Sequence, residues 1–489
     1  EMILGDWSSD VCSSDLDEVR EVYADWCEEQ GDLPRARFIR VQLERARRDR
    51  WDARQVALEV AERALLEAHG ATWLGEVADV PGVTWTGFER GFVARAEAES
   101  FGALVKGHDA LARAAPLHHV TTPWPTSERE AAGARAMATL RGLRIERAII
   151  VPEEPFWLAV SPLLSTLTEL ALVDGYADAP GTHALLTSPH LRGLRELSLA
   201  RHLVGREGVV ALVEADLPEL IALQLEERGF TDDSWSHWEG GLDVPAMEKL
   251  ARWPGLARIR RLDLSGNRLE PEGFEALFES EHFTAVESLK LQYVYAMLAE
   301  IPWGSAPGAL RLKALDVGDS SVWHEAAEVL AEASCLAELR QLDLPRAQAE
   351  EATALPTLLA GGLAKTLQVL DLGEFDSLEA PVVDALVGAD LPQLHTLRLG
   401  SAHDVGDGDV ERLVGWRHLG HLRSLAIAGK SIGSGTARAL AAAPLDQLER
   451  LQVRGLPEDA RALLRETPIG QRLLPTGGLE LLAHPQRGW

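Results

Sequence analysis

Leu256-Ala257-Arg258-Ile259-Arg260-Arg261-Leu262-Asp263-Leu264-Ser265-Gly266-Asn267-Arg268-Leu269 is the stretch that decides the fold. Leu262-Asp263-Leu264 alternates apolar and polar residues, as a short strand with one buried face requires. Beyond Leu269, Phe274 and Leu277 continue with helical spacing after Pro271, so strand gives way to helix. The same pattern recurs along the chain. Its last apolar strand residue falls at Leu172, Leu199, Leu225, Leu264, Leu291, Val317, Leu344, Leu372, Leu399, Ile427 and Val453. Successive copies lie 26 to 28 residues apart, except for 39 between Leu225 and Leu264. A near-constant period in the twenties predicts a solenoid. One such unit cannot bury its own apolar edge and must stack on its neighbours.

These copies resemble leucine-rich repeats, and their length is similar to the ribonuclease-inhibitor kind, in which a helix follows each strand. The resemblance implies an α/β solenoid: a curved parallel sheet with helices on the convex side and a binding surface on the concave side. One departure stands out, since only Asn267 occupies the asparagine position that normally bonds turn backbone. The other turns must be satisfied differently. The domain plan expected is a non-native tail over residues 1–16, a helical domain over 17–95, and a cap with degenerate repeats over 96–160. Leucine-rich repeats follow over 161–475 and a C-terminal tail over 476–489. Leu117-His118-His119-Val120 and Leu140-x-x-Leu143-x-Ile145 read as the degenerate early copies.

Residues 17–75 read as helical. Gly31, Asp32 and Pro34 separate two helices, and Tyr23, Trp26, Phe38 and Leu43 are spaced to form one small core across the hairpin. Asp25 and Arg40 suit an ion pair between the helices. Tyr23-Ala24-Asp25-Trp26, Glu28-Glu29, Gly31-Asp32, Phe38-Ile39-Arg40 and Gln42 resemble the bacterial repeat-companion domain, with Cys27 where that family usually has leucine. Trp73-Leu74-Gly75 and Trp85-x-x-Phe88-Glu89-Arg90-Gly91-Phe92-Val93 are similar to its downstream stretch. That family carries no established activity, so the resemblance implies a bacterial origin and a repeat neighbour rather than a reaction. Asp6 to Leu16 resembles one reading frame of a sequencing adapter, and Glu1 to Leu16 is set aside as a non-native tail.

The chain has 489 residues, with 76 Asp plus Glu against 48 Lys plus Arg, a net charge of −28. An acidic balance of this size disfavours nucleic acid or an anionic membrane as partner, because both need basic surface. No apolar run approaches membrane-spanning length. Besides Cys12 in the set-aside segment, the cysteines are Cys27 and Cys335, both in apolar helical contexts. They are expected to be buried free thiols in a reducing, cytoplasmic compartment.

Lookalikes of chemical sites fail on spacing. Gly429-Lys430-Ser431 follows a strand, yet Ser424 stands where a phosphate-binding loop needs glycine. The acids Asp404, Asp407, Asp409 and Glu411 miss the calcium-loop spacing and fit a helix start. His118-His119 and His418-x-x-His421 have no third metal ligand nearby in sequence. No cofactor or metal is expected, and no catalysis.

What remains is the concave face. The outward residue of each strand is Ala171, Ser198, Gln224, Asp263, Lys290, Asp316, Asp343, Asp371, Arg398, Ala426 and Gln452. Asp263, Asp316, Asp343 and Asp371 make an acidic column, interrupted by Lys290 and followed by Arg398. The 39-residue copy adds Trp235 and Trp238, two candidate anchors for a partner. The function expected is a non-catalytic scaffold gripping a protein partner, possibly a basic one, through these residues. The alternative is an enzyme or a regulator of one. Some ribonuclease-inhibitor-like repeats stimulate GTPases through a loop arginine, a role the resemblance would give to Arg268.

Overall fold

In the computed structural model, the described residues are 15–146, 154–173, 179–200, 205–226, 241–267, 269–294, 298–318, 324–344, 354–373, 380–400 and 405–482. The chain divides into two compact units. Unit 1 comprises Glu1–Arg47 and Leu65–Leu269, and unit 2 comprises Arg48–Ala64 and Glu270–Trp489. A segment of seventeen residues near the N-terminus, 48 to 64, is thus a component of unit 2 although both its sequence neighbours belong to unit 1.

Unit 1 begins with helices α1 (Asp15–Glu29) and α2 (Leu33–Arg47). Gly31, at φ 83°, ends α1 in the left-handed conformation that glycine adopts without penalty. Asp32 then caps α2 by accepting the Arg35 N–H at 3.1 Å. Ala24 and Cys27 from α1 meet Ala36, Ile39 and Leu43 from α2, with Tyr23 at the rim. Arg40 pairs with Asp25 at 2.7 Å. The expectation of one core of Tyr23, Trp26, Phe38 and Leu43 needs correction at two residues, Trp26 and Phe38. Trp26 is 49% exposed and only stacks on Tyr23. Helical residues advance by about 100° each, so a face that buries Ala24 and Cys27 turns Trp26 away. Phe38 is buried against Trp73 and Phe88, 4.9 and 5.2 Å between ring centroids. Asp15 and Leu16, set aside on sequence, form the start of α1.

Strands β1 (Val83–Glu89) and β2 (Phe92–Ala98) form an antiparallel hairpin. Its turn residues Arg90 and Gly91 both have positive φ, the geometry that matches strand twist. Asp17 holds the Arg90 guanidinium at 2.6 Å, and Gln42 accepts the Gly91 N–H at 2.5 Å. A Cβ on Gly91 would lie 2.5 Å from Ile39 Cγ1, so close approach to α2 demands glycine. From β2 onward the pairing is parallel, through β3 (His119–Thr122), β4 (Gly142–Ile145), β5 (Glu169–Val173), β6 (Glu196–Ala200), β7 (Ala222–Gln224) and β8 (Arg261–Asp263). Asn267 performs the expected turn role. Its side-chain N–H groups donate to Leu225 O and Leu264 O, and its Oδ1 accepts the Leu242 N–H.

Unit 2 continues the pattern with β9 (Ser288–Lys290), β10 (Ala314–Asp316), β11 (Gln341–Asp343), β12 (Val369–Leu372), β13 (Thr396–Gly400), β14 (Ser424–Ala428), β15 (Arg450–Arg454) and β16 (Leu479–Leu482), all parallel in chain order. Leu289, Leu315, Leu342, Leu370, Leu397, Leu425 and Leu451 stand opposite one another, each buried. Helices between the strands, such as His324–Glu332, Ala354–Ala360 and Ser434–Ala442, pack on their successors and cover that leucine face. Between β9 and β10 the described residues hold a 3-10 turn, Trp303–Ser305, in place of a full helix. Trp303 is fully buried against Phe278 and fills the volume.

The eleven register residues of the repeats, Leu172 through Val453, are all 3% exposed or less. Turns lacking asparagine are closed in other ways. Gly455, at φ 100°, lies so close to Gly429 O that a Cβ would overlap it. Asp407, expected on sequence to serve its own helix start, also caps the next helix. It accepts N–H groups of Gly433, Gly435 and Thr436 and the Thr436 hydroxyl. Leu344→Asp would place an unpaired carboxylate in the stack; a loss of about 4 kcal/mol or more is expected, and cooperative unfolding of the surrounding repeats, measured by urea denaturation.

Candidate functional site

Strand residues that alternate with the ladder leucines project from the face of the sheet opposite the helices. In unit 2 these are Lys290, Asp316, Asp343, Asp371 and Arg398, which stand in register on successive strands. Asp263 holds the equivalent place on β8 in unit 1. Lys290 is exposed, Asp316 is 8% exposed, and Asp343 and Asp371 are partly buried.

Why aspartate recurs at the strand end is visible in its hydrogen bonds. Asp263 accepts the N–H of Ser265, Asp316 that of Gly318, and Asp371 that of Gly373, at 3.0, 3.2 and 2.8 Å. Each carboxylate thus closes the turn two residues on, the Asx-turn arrangement. Asp316 also accepts from Gln292 at 2.7 Å, and Asp371 pairs with Arg398 at 2.9 Å. Asp343 differs. Two residues on is Pro345, which has no N–H to give. Its Oδ2 accepts from Gln341 at 2.6 Å. Burial, together with the charges of Asp316 and Asp371, pushes the Asp343 carboxyl up to about 7, against weaker help from Gln341 and Arg398.

The same face of unit 2 carries polypeptide. Residues 48–53 lead into α3 (Arg54–Gly75), and residues 48–64, part of unit 2, reach β11, β15 and β16. Asp49 and Asp52 knit its turn by accepting the N–H groups of Trp51 and Arg54, both at 2.9 Å. Trp51 is 8% exposed, with the guanidinium groups of Arg50 and Arg340 over its ring at 4.9 and 5.4 Å. Its indole N–H and Arg50 both donate to Gln341 Oε1, at 3.3 and 3.0 Å. Burial lowers the His395 pKa, against the opposing bond to the Trp51 carbonyl and the charge of Asp52. The His395 Nε2–H donates to Trp51 O at 2.9 Å while Nδ1 accepts from the Thr396 hydroxyl. Eight residues beyond Trp51, Glu59 pairs with Arg450 at 3.1 Å. Arg63 pairs with Glu480 and donates to Gly477 O at 2.7 Å. None of these residues had been singled out from sequence.

Other candidates resolve as structure. His118 and His119 converge on Glu89, at 2.9 and 3.2 Å. Burial opposes the Glu89 charge, but both imidazoles outweigh it and hold the carboxyl well below its usual range. Asp390 bonds His418 at 3.0 Å, and the imidazole stands edge-on to Trp416. Among the described residues no group of three or more His, Cys, Asp or Glu could hold a metal. Cys27 and Cys335 are free and buried, and no described helix is long and apolar enough to cross a membrane. Trp235, Trp238 and Arg268 lie outside the described residues.

Parallel strands in chain order, an unbroken leucine ladder and helices on one side define an α/β leucine-rich-repeat solenoid. No family model matches the chain, and no curated protein matches it. Among solved structures it is similar to a chain of the mouse RP105/MD-1 complex, at TM-score 0.39 and 16% identity, over 80% of this chain. It spans 65% of that neighbour's length.

The Asp343 carboxyl gives a signed pH dependence. Its pKa is raised on folding, so below about pH 4 both states are protonated and the contribution is fully present. As pH rises, the unfolded state ionises first and stability is lost until the folded group ionises at about 7. Asp343→Asn should therefore raise the melting temperature more at about pH 8 than at about pH 5, by several degrees. An equal effect at both would contradict the assignment.

Proposed function

We propose that this protein is a non-catalytic interaction scaffold that grips a protein partner on the helix-free face of its repeats. The observation that carries this reading is that the face already holds polypeptide, the chain's own residues 48–64, through side chains from at least three strands. A row of outward polar residues spaced about 4.8 Å apart suits recognition of an extended or helical segment. Lys290, Asp316, Asp371 and Asp263 are the contacts proposed for the partner, with Asp343 beneath them. The acids favour a partner that presents arginine or lysine, and Trp235 and Trp238 are proposed as further anchors. Residues 17–95 are proposed to be a repeat-companion domain that positions the repeats. Two buried free thiols fit a reducing cytoplasm.

The test uses the full chain as bait in lysate of its source organism. Charge pairs at an interface act mainly on association rate and salt sensitivity. The triple variant Asp316→Asn, Asp343→Asn, Asp371→Asn should bind the captured partner about tenfold more slowly at low salt and show a flatter salt dependence. Capture that is indifferent to the triple change, at low and moderate salt alike, would overturn this site.

A further inference from the structure

The course of the chain is unusual at residues 48–64. It leaves unit 1 after Arg47, contributes seventeen residues to unit 2, and returns to unit 1 at Leu65. Within unit 2 this segment contacts the helix-free face at β11, β15 and β16, beside the strands that carry Lys290, Asp316 and Asp371. It buries Trp51, Val56, Leu58 and Val60, and its polar groups are met one by one by side chains of the face. Trp51 is clasped between two arginines, its indole N–H and its carbonyl are each taken by a side chain of the face, and two ion pairs of opposite polarity fix the following helix. The polarity matters. Acid meets base at Glu59 with Arg450, then base meets acid at Arg63 with Glu480, four residues and one helical turn apart. A segment docked in the reverse direction would bring like charges together at both places.

We propose that the β11–β16 part of this face is a recognition surface for a segment bearing an arginine-flanked tryptophan followed by a helix with an acid and then a base one turn apart, and that residues 48–64 occupy it in cis. A protein partner must carry a segment of that chemistry and displace the resident one. Arg340, Gln341 and His395 form the tryptophan subsite; Arg450 and Glu480 set the direction. The inference rests on the interaction-scaffold reading and adds both the partner's chemistry and the control of access.

The experiment uses the full chain and a fluorescein-labelled peptide of residues 48–64. Wild type is compared with an opened chain carrying Glu59→Arg and Arg63→Glu, whose segment is repelled by Arg450 and Glu480. The opened chain should bind the peptide at least tenfold more tightly than wild type, and a peptide carrying Trp51→Ala should bind it at least tenfold more weakly. Adding Arg450→Glu and Glu480→Arg to the opened chain should restore the cis contact and abolish peptide binding. Circular dichroism checks the fold. A second measurement needs no substitution: excess peptide should speed tryptic cleavage of wild type at Arg48, Arg50 and Arg54 several-fold. Equal peptide binding by wild type and opened chain, no binding by a folded opened chain, or cleavage unaffected by peptide would each overturn the proposal. A lysate partner captured equally by wild type and opened chain would also overturn it, while leaving the scaffold reading intact. Peptide binding as expected, with no outside partner ever captured, would instead defeat the scaffold reading.

Discussion

A single repeat cannot bury its own leucines. Leu342 stands at 1% exposure only because Leu315 and Leu370 flank it on the neighbouring strands. Each repeat of under thirty residues has one strand and a short helical stretch, too little to close a core. Stability therefore resides in the interfaces between repeats, and the chain must place an apolar residue at the same register each time. This requirement produces the periodicity, orders the parallel strands and sends every alternate side chain to the opposite face.

Much of what lies on that opposite face follows from turn closure. Asparagine closes a turn at Asn267, aspartate does so at Asp263, Asp316 and Asp371, and glycine permits close stacking at Gly455. The acidic column is thus in part a by-product of ending strands with Asx-turns. Asp343 is the exception: burial, with the charges of Asp316 and Asp371, pushes its carboxyl up to about 7.

The repeats were legible because their signal is local and recurrent; eleven positions could be aligned within the chain itself. The hairpin of α1 and α2 was legible in its turn and its ion pair, and misread at Trp26 and Phe38. Spacing identifies residues that lie near one another on a helix, but not which side of that group the neighbouring helix covers. The docked segment was illegible for a different reason. Trp51 meets Gln341 across 290 positions of sequence, and nothing near either residue announces the other. Its composition, arginine-rich with scattered acids, is what a solvated helix start also shows. Likewise Glu89 sits about thirty residues from the two histidines it binds, a partnership made only when β2 and β3 pair.

The central claim is that residues 48–64 are docked on the unit 2 face through Trp51, Glu59 and Arg63. Native-state hydrogen exchange measures this most directly, because segments that open as one unit share one exchange free energy. The account predicts that the amides of residues 56–64 exchange slowly in the wild-type chain and lose protection when Arg450→Glu is introduced, while β14 and β15 stay protected. Fast exchange of residues 56–64 in the wild-type chain, while β14 and β15 stay protected, would contradict it.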